Sequence, residues 1–384
     1  NLVAALARWP EDDRLAARLA WLLDDGDAEV RAFAFDALAK AAASADELAF
    51  AELALRTSQE DIRVRALQIL VRVGAPGAGD PGLTARADAL LGDALDDEAA
   101  KVRGEAFRTL WAWHAADPLI PLERGRASRH ADLRAQVISE IDRRLQAKQA
   151  TAAMDAIARA LVVDPVEAVG LAAYALLTRQ PEDPRAKPVV IDPAIHLAAM
   201  GSPGAAVRAA GAAGAARSPA SAVRARLVEL VGDDQLVVGL AAIEALDAVA
   251  PTDAEGFARA FASVYWPLQV RACELLGRRR DVRAVAPTTR ILSIPRTDLN
   301  RPPDEIRRRA AEALAMVGDL GALRFMQALV SDEDPAVREQ GARGIATAAQ
   351  RGHEPSRAAL VALLGHELLA VRSWGGEGLA RLGD

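Results

Sequence analysis

Asp332-Glu333-Asp334-Pro335-Ala336-Val337-Arg338, followed by Gly341, Gly344 and Ile345, is the stretch from which the fold can be read. An acidic, proline-containing turn leads into a Val-Arg pair, and small or apolar residues then follow three and four positions apart. That spacing places Val337, Gly341, Gly344 and Ile345 on one face of a helix. The carboxylates before it are placed to cap the helix N-terminus and to complement its dipole.

The same pattern recurs along the chain. With Val337 as anchor, the equivalent positions are Val30, Ile62, Val102, Leu133, Val169, Val207, Val238, Leu268, Ile306 and Val371. Four residues after each anchor stand Ala34, Ala66, Ala106, Val137, Ala173, Gly211, Ala242, Ala272, Ala310, Gly341 and Gly375. Every one except Val137 is Ala or Gly, and a column in register with the anchors is not a product of composition alone. Anchors spaced by roughly 30–40 residues indicate a solenoid, in which each unit buries its apolar face on its neighbours.

Each unit reads as a helical hairpin. A first amphipathic segment precedes most anchors: Arg14–Leu23, Asp46–Leu55, Thr84–Leu95, Thr151–Val162, Ala222–Val231, Ala254–Tyr265, Leu320–Leu329 and Ser356–Leu364. The first helices near Pro118–Arg126 and Pro193–Met200 are expected to be short. Residues 74–82, 180–193 and 293–303 are rich in Pro and Gly and read as loops. The last two are long enough to be candidate contact elements. The expectation is one all-α solenoid over 1–384, and Asn1–Ala7, which looks like the end of a helix, suggests a piece of a longer array.

At this point the sequence resembles the HEAT-repeat family, specifically its short bacterial type. The pattern of an Asp five residues before Val-Arg, then Ala and Ala-Leu, stands at Asp25/Val30-Arg31/Ala34/Ala37-Leu38. It is nearly complete at Asp97/Val102-Arg103/Ala106 and at Asp332/Val337-Arg338. The resemblance implies a right-handed α-α superhelix of about eleven hairpins, with second helices lining the concave side. It also implies an Asp–Arg ladder between successive turns, broken where Gly170, Gly239 and Gln269 replace the arginine. Tetratricopeptide repeats match the period, but their Trp-Leu-Gly-Tyr signature is missing. An ankyrin-like opening at Asp192–Ala199 occurs once.

Composition narrows the function. The chain has 384 residues, of which 51% are hydrophobic and 4% aromatic, which suits close-packed helices better than sheets. A formal charge of −6 does not suggest a general nucleic-acid binder. The lone Cys273 rules out an internal disulfide framework and fits a reducing cytoplasm. No apolar run approaches a membrane span, and no signal peptide opens the chain. The excess of Arg over Lys points to a GC-rich bacterial genome.

Chemical motifs are sparse. Gly77–Gly82 fits a dinucleotide fingerprint, but the preceding Ile69–Val73 belongs to a helix by repeat register. The five histidines are scattered and His366-Glu367 lacks a second histidine. No catalytic, cofactor or metal residues are assigned, and the chain is expected not to be an enzyme. Trp111 and Trp113, near His114 and Asp117, loosely resemble residues of HEAT-like DNA glycosylases, which makes such an enzyme a third reading.

The leading expectation is a scaffold or adaptor that binds a protein partner along the concave face. Positions three, six and ten after each anchor share that face. Its candidate residues are Arg65, Glu105, Arg108, Ala172, Ala175, Ala210, Ala213, Ala241, Glu244, Arg271, Glu274, Arg309, Glu312 and Arg343. The alternative is a nucleic-acid-binding module using the arginine-rich region 271–309, with Arg278, Arg279, Arg280 and Arg308 as a candidate anion patch. The opposite end, from Glu11 to Asp61, is acidic.

Overall fold

The computed structural model describes residues 13–42, 44–77, 80–183, 185–295 and 297–383. Asn1–Ala7, Glu11 and Arg296 lie outside the described residues. The described chain is all-α, with no strand, and its helices pack in sequential pairs. It divides into two compact units, Asn1–Val189 and Val190–Asp384.

In the first unit the pairs are α1 (Asp13–Trp21) with α2 (Ala28–Ala41), α3 (Ser44–Leu55) with α4 (Glu60–Gly74), and α5 (Pro81–Asp93) with α6 (Ala100–Trp113). Then come α7 (Leu119–Ala127) with α8 (Ala131–Gln146), and α9 (Ala152–Leu161) with α10 (Glu167–Leu177). The second unit pairs α11 (Pro193–Met200) with α12 (Ala205–Gly214), α13 (Ser221–Leu230) with α14 (Leu236–Val249), and α15 (Ala254–Ala262) with α16 (Trp266–Arg278). It ends with α17 (Val285–Ser293) and α18 (Asp304–Val317), α19 (Leu323–Leu329) and α20 (Pro335–Ala348), and α21 (Glu354–Leu363) and α22 (Leu369–Leu382). The even-numbered helices carry the anchors.

Three segments differ from the sequence reading. Helix α17, the helix expected before the 293–303 loop, has no boundaries in the sequence reading, because arginines flank its apolar residues and Pro287 interrupts the pattern; a proline in the first turn removes no helical hydrogen bond. Ala254–Tyr265 is shorter than expected, since Tyr265 already stands at the N-terminus of α16. Ile69–Val73 is helical, within α4, and Asp80 caps α5 by accepting from Gly82 N at 2.7 Å. The dinucleotide motif therefore has no strand before it, and its Ala78 and Gly79 lie outside the described residues.

The small-residue column has a steric cause. Every anchor from Ile62 onward is buried, and the residue four later faces the first helix of the same hairpin. A Cβ on Gly211 would lie 2.7 Å from Ala199 Cβ, and one on Gly341 would lie 2.9 Å from Leu329 Cβ and Met326 O. Gly375 is equally tight against Leu363 Cβ at 2.9 Å. The exception, Val137, faces a glycine: a Cβ on Gly125 would come 2.7 Å from Val137 Cγ2. Bulk gained on one helix is given up on the other.

Where an arginine follows the anchor, it works in two directions. Within its own hairpin, Nη1 donates to a carbonyl of the turn, six residues earlier in Arg31 to Asp25 at 2.8 Å, Arg63 to Thr57 at 2.9 Å, Arg134 to Ser128 at 2.9 Å and Arg338 to Asp332 at 2.8 Å, and across the longer loop in Arg307 to Leu292 at 3.0 Å. Its other nitrogens reach an acid of the next hairpin. In the first unit the rungs are Arg31–Asp61, Arg63–Asp97, Arg103–Asp132 and Arg134–Asp164. In the second they are Arg208–Asp233 and Arg307–Asp332.

The acid sits five residues before the next anchor when that position is Asp. Where Thr57 or Ser128 occupies it, the acid moves to the residue just before the anchor, Asp61 or Asp132. The aspartates themselves also accept amides of the turn: Asp25 from Asp27 N, Asp97 from Ala99 N and Asp332 from Asp334 N. No rung is made from Gly170 or Gly239. Gln269 keeps the inner half, donating to Ser263 O at 2.7 Å, and replaces the charged rung with a bond from the next hairpin, its Oε1 accepting from Arg290 Nη2 at 3.0 Å.

Candidate functional site

The second helices present the candidate face, taken here unit by unit. In the first unit Arg65 pairs with Asp36 of the preceding hairpin and lies over the Phe35 ring, 4.2 Å from its centroid. Arg108 pairs with Glu105 one turn away. Ala172 and Ala175 on α10 are exposed.

In the second unit Ala213 is exposed, while Ala210 and Ala241 are half-buried. Beyond them the charged positions bind one another. Arg271 donates to Glu244 at 2.9 Å and to Glu274 at 3.1 Å, and Arg309 donates to Glu274 at 2.6 Å. Burial pushes the Glu274 carboxyl up, but the two guanidiniums outweigh it and hold its pKa below the usual value. Arg343 stands 3.7 Å from Glu312 and 5.8 Å from the centre of the Trp374 ring. These arginines and glutamates form a fixed polar strip rather than a set of free charges.

Most of the arginine-rich region is similarly engaged. Arg279 donates to Pro251 O at 2.9 Å and Asp247 O at 3.1 Å, Arg283 to Asp281, Arg290 to Phe261 O, Arg301 to Asp304 and Arg308 to Asp334. Among the described residues Arg278 and Arg280 are exposed with no partner. The four proposed anion-patch residues are thus divided, two occupied and two open.

The residues that suggested enzymatic chemistry have structural partners. His114 Nε2 is 2.7 Å from Asp88 Oδ1, and Arg124 holds the other oxygen of that carboxylate at 2.6 Å. Burial pushes Asp88 up, yet these contacts bring its pKa below the ordinary range. Asp117 accepts from Leu119 N. Cys273 is buried, and its thiol is pushed up to about 12. No group of His, Cys, Asp and Glu among the described residues could hold a metal ion. No helix of the described residues is long and apolar enough to cross a membrane.

One feature of this face went unseen in the sequence. A cleft of about 550 Å³ opens between α6 and α8, with Lys101, Gly104 and Trp111 on one wall and Gln136, Glu140 and Arg143 on the other. The signal was Gly104, mid-helix and outside the small-residue column. Glycine there weakens the helix by roughly 0.5–1 kcal/mol relative to Ala, and packing does not demand it. A Cβ at Gly104 would meet only Gln136 Nε2, at 3.9 Å.

Residues 296–380 match the family model for HEAT repeats, and that stretch is HEAT-repeat sequence. Among curated proteins none matches the chain. Among solved structures the chain is similar to an engineered protein at 16% identity, covering 100% of this chain and 99% of that one, with a TM-score of 0.38. It is similar to a Kap121p mutant at 13% identity, covering 100% and 46%, with a TM-score of 0.41. A Kap95p structure concerned with binding to RanGDP aligns at 12% identity, covering 96% and 55%, with a TM-score of 0.42. The chain spans about half the length of the two Kap proteins.

Proposed function

We propose that this chain is a non-catalytic scaffold that holds a protein partner on the face formed by its second helices. The observation that carries the reading is the make-up of that face in the second unit. Exposed Ala213 and half-buried Ala241 admit close backbone approach, and the strip Glu244–Arg271–Glu274–Arg309 beyond them is already fixed by its own bonds. Pre-ordered side chains lose less conformational entropy on association, and charges so placed set register and specificity more than affinity. Exposed alanines recur at Ala172 and Ala175 in the first unit. A nucleic-acid role for region 271–309 has less support, because binding phosphates needs free cations and only Arg278 and Arg280 of that patch are open.

The test uses Ala175→Arg and Ala213→Arg in the full chain, against a partner recovered by affinity capture and rebound by calorimetry. Each variant is expected to keep its helical signal and melting temperature, and at least one to weaken binding about tenfold, or about 1.4 kcal/mol. Undiminished binding by both moves the interface to the first helices or the loops. Arg309→Glu is a poor probe of the face, since it would set a second carboxylate against half-buried Glu274 and act on folding.

A further inference from the structure

We propose that the cleft between α6 and α8 is a docking site for an acidic partner segment carrying one aromatic or long aliphatic residue. This rests on the scaffold reading above and names the partner chemistry of one place on that face. The first support is Gly104. At Gly211, Gly341 and Gly375 a Cβ is excluded by atoms 2.7–2.9 Å away, whereas at Gly104 the space is open. The glycine serves the cleft and not the helix packing.

The floor suits an apolar side chain. Phe107 and Trp111 pack one turn apart, with ring centres 6.2 Å apart and planes tilted by 41°, and Arg144 lies over the Trp111 ring, 5.0 Å from its centre. A cleft of about 550 Å³ has room for one large side chain and the peptide groups beside it.

The rim suits an acidic segment. Lys101 is exposed with no partner among the described residues. The Arg108 and Arg143 side chains are 72% and 71% exposed, each held by one glutamate. Glu140, whose side chain is only 8% exposed, is answered by Arg143 and stands 3.8 Å from Arg144, which leaves the cleft mouth cationic. Because Glu105 and Glu140 sit beside those arginines, a continuous polyanion such as single-stranded DNA fits less well than a peptide with a few acids.

Gln136 supplies the backbone contact. It is exposed and has no hydrogen-bond partner among the described residues. Elsewhere in this unit Gln180 shows what such an amide does: its Oε1 accepts from Val189 N at 2.9 Å and its Nε2 donates to Val189 O at 3.3 Å, gripping extended chain at both polar groups. Gln136 offers the same grip to a segment lying along the cleft.

The experiment is fluorescence anisotropy on the full chain with a labelled hexapeptide, a Phe-Leu core with two acids on each side. Saturable binding is expected, about tenfold weaker in Gly104→Leu, which fills the cleft, and in Lys101→Glu. Gly104→Leu should keep or raise the melting temperature, so lost binding would not reflect lost folding. The same peptide with lysines in place of acids, and an unlabelled decathymidylate as competitor, should both fail. Equal binding by Gly104→Leu, preference for the lysine peptide or the oligonucleotide, or no saturation by about 1 mM would each overturn the assignment. If these overturn it while Ala175→Arg or Ala213→Arg still weakens partner binding, the cleft falls and the scaffold reading stands.

Discussion

In the first unit four successive arginines, Arg31, Arg63, Arg103 and Arg134, each cross to an acid of the following hairpin. In the second unit, of the described arginines that directly follow an anchor, Arg208 and Arg307 cross to an aspartate, and Arg338 reaches Glu367 at 3.6 Å. At Gly239 and Gln269 close contact accompanies the missing rung. Where Gly239 stands for an arginine, the next anchor moves in, and a Cβ on Gly239 would lie 3.0 Å from Leu268 Cδ2. Where Gln269 stands, α16 and α18 touch through backbone, and a Cβ on Gly277 would lie 2.8 Å from Ala313 O. Where the rung is lost, a glycine-sized gap brings the hairpins together, beside polar bonds made by other arginines, Arg224 to Asp253 and Arg290 to Phe261 O. The two devices fail differently, and that separates them experimentally.

The largest effect is expected from removing a rung. Arg134→Leu leaves Asp164, whose side chain is 3% exposed, without its cation. Breaking a buried pair on one side costs roughly 3–5 kcal/mol. Urea unfolding followed by hydrogen exchange should place that loss in α8 and α9. A loss below about 1 kcal/mol would mean that water replaces the guanidinium and that the rung is not what joins these hairpins.

Next comes a pair of identical substitutions with opposite signs. Gly277→Ala drives a methyl against the Ala313 carbonyl, which cannot rotate away, and overpacking of this kind costs about 1–3 kcal/mol. Gly104→Ala meets nothing within 3.9 Å and is expected to stabilise by roughly 0.5–1 kcal/mol through helix propensity. Melting temperatures of the two variants moving in the same direction would remove the distinction between a packing glycine and a cleft glycine.

Most of this scaffold is legible in the sequence because packing periodicity is a local property. The anchors, the Ala/Gly column and the hairpin spacing all repeat in register. The absence of the Asp–Arg rung at Gly170, Gly239 and Gln269 could also be read directly. What replaces a rung could not be, since the contact between Gly277 and Ala313 joins different hairpins and Gly277 stands outside the motif. The same holds for the shift of the rung acid: Thr57 and Ser128 leave the usual position without a carboxylate, but that Asp61 and Asp132 take over shows only in three dimensions. On the candidate face, the residue positions could be listed from helical spacing, but not their mutual pairing. Glu244, Arg271, Glu274 and Arg309 looked like free charges in the sequence, and in three dimensions they bind one another.

Acid should act on both units through the remaining rungs. Burial pushes the carboxyls of Asp132 and Asp233 up, but Arg103 and Arg208 outweigh it, and both pKa values fall below the ordinary one. A folded-state pKa below the unfolded value of about 3.9 means that the contribution is complete above that pH and is lost as pH falls through the folded value. Urea midpoints should therefore decline on acidification from about pH 5 to 3, and Asp233→Asn should make the decline shallower. An unchanged slope in that variant would assign the acid sensitivity to other carboxylates.

The smallest effect tests whether the two acid positions are interchangeable. Asp132 serves the rung from Arg103 because Ser128 stands where other hairpins carry Asp. Asp132 is 39% exposed and Arg103 keeps its bonds to the Asp97 and Glu98 carbonyls. Asp132→Ala is therefore expected to cost only about 1 kcal/mol, within the range of a charge-assisted bond near the surface. Ser128→Asp on that background places a carboxylate at the position that Asp97 and Asp164 occupy in their own hairpins. Recovery of about half the loss is expected, the remainder reflecting the bonds that Ser128 Oγ makes to Leu95 O at 3.1 Å and Asp96 at 2.8 Å. No recovery, together with a further loss as large as the first, would show that repulsion from Asp96 governs the site. The use of Asp132 would then be a constraint of this hairpin, and the two acid positions would not be equivalent ways of closing one rung.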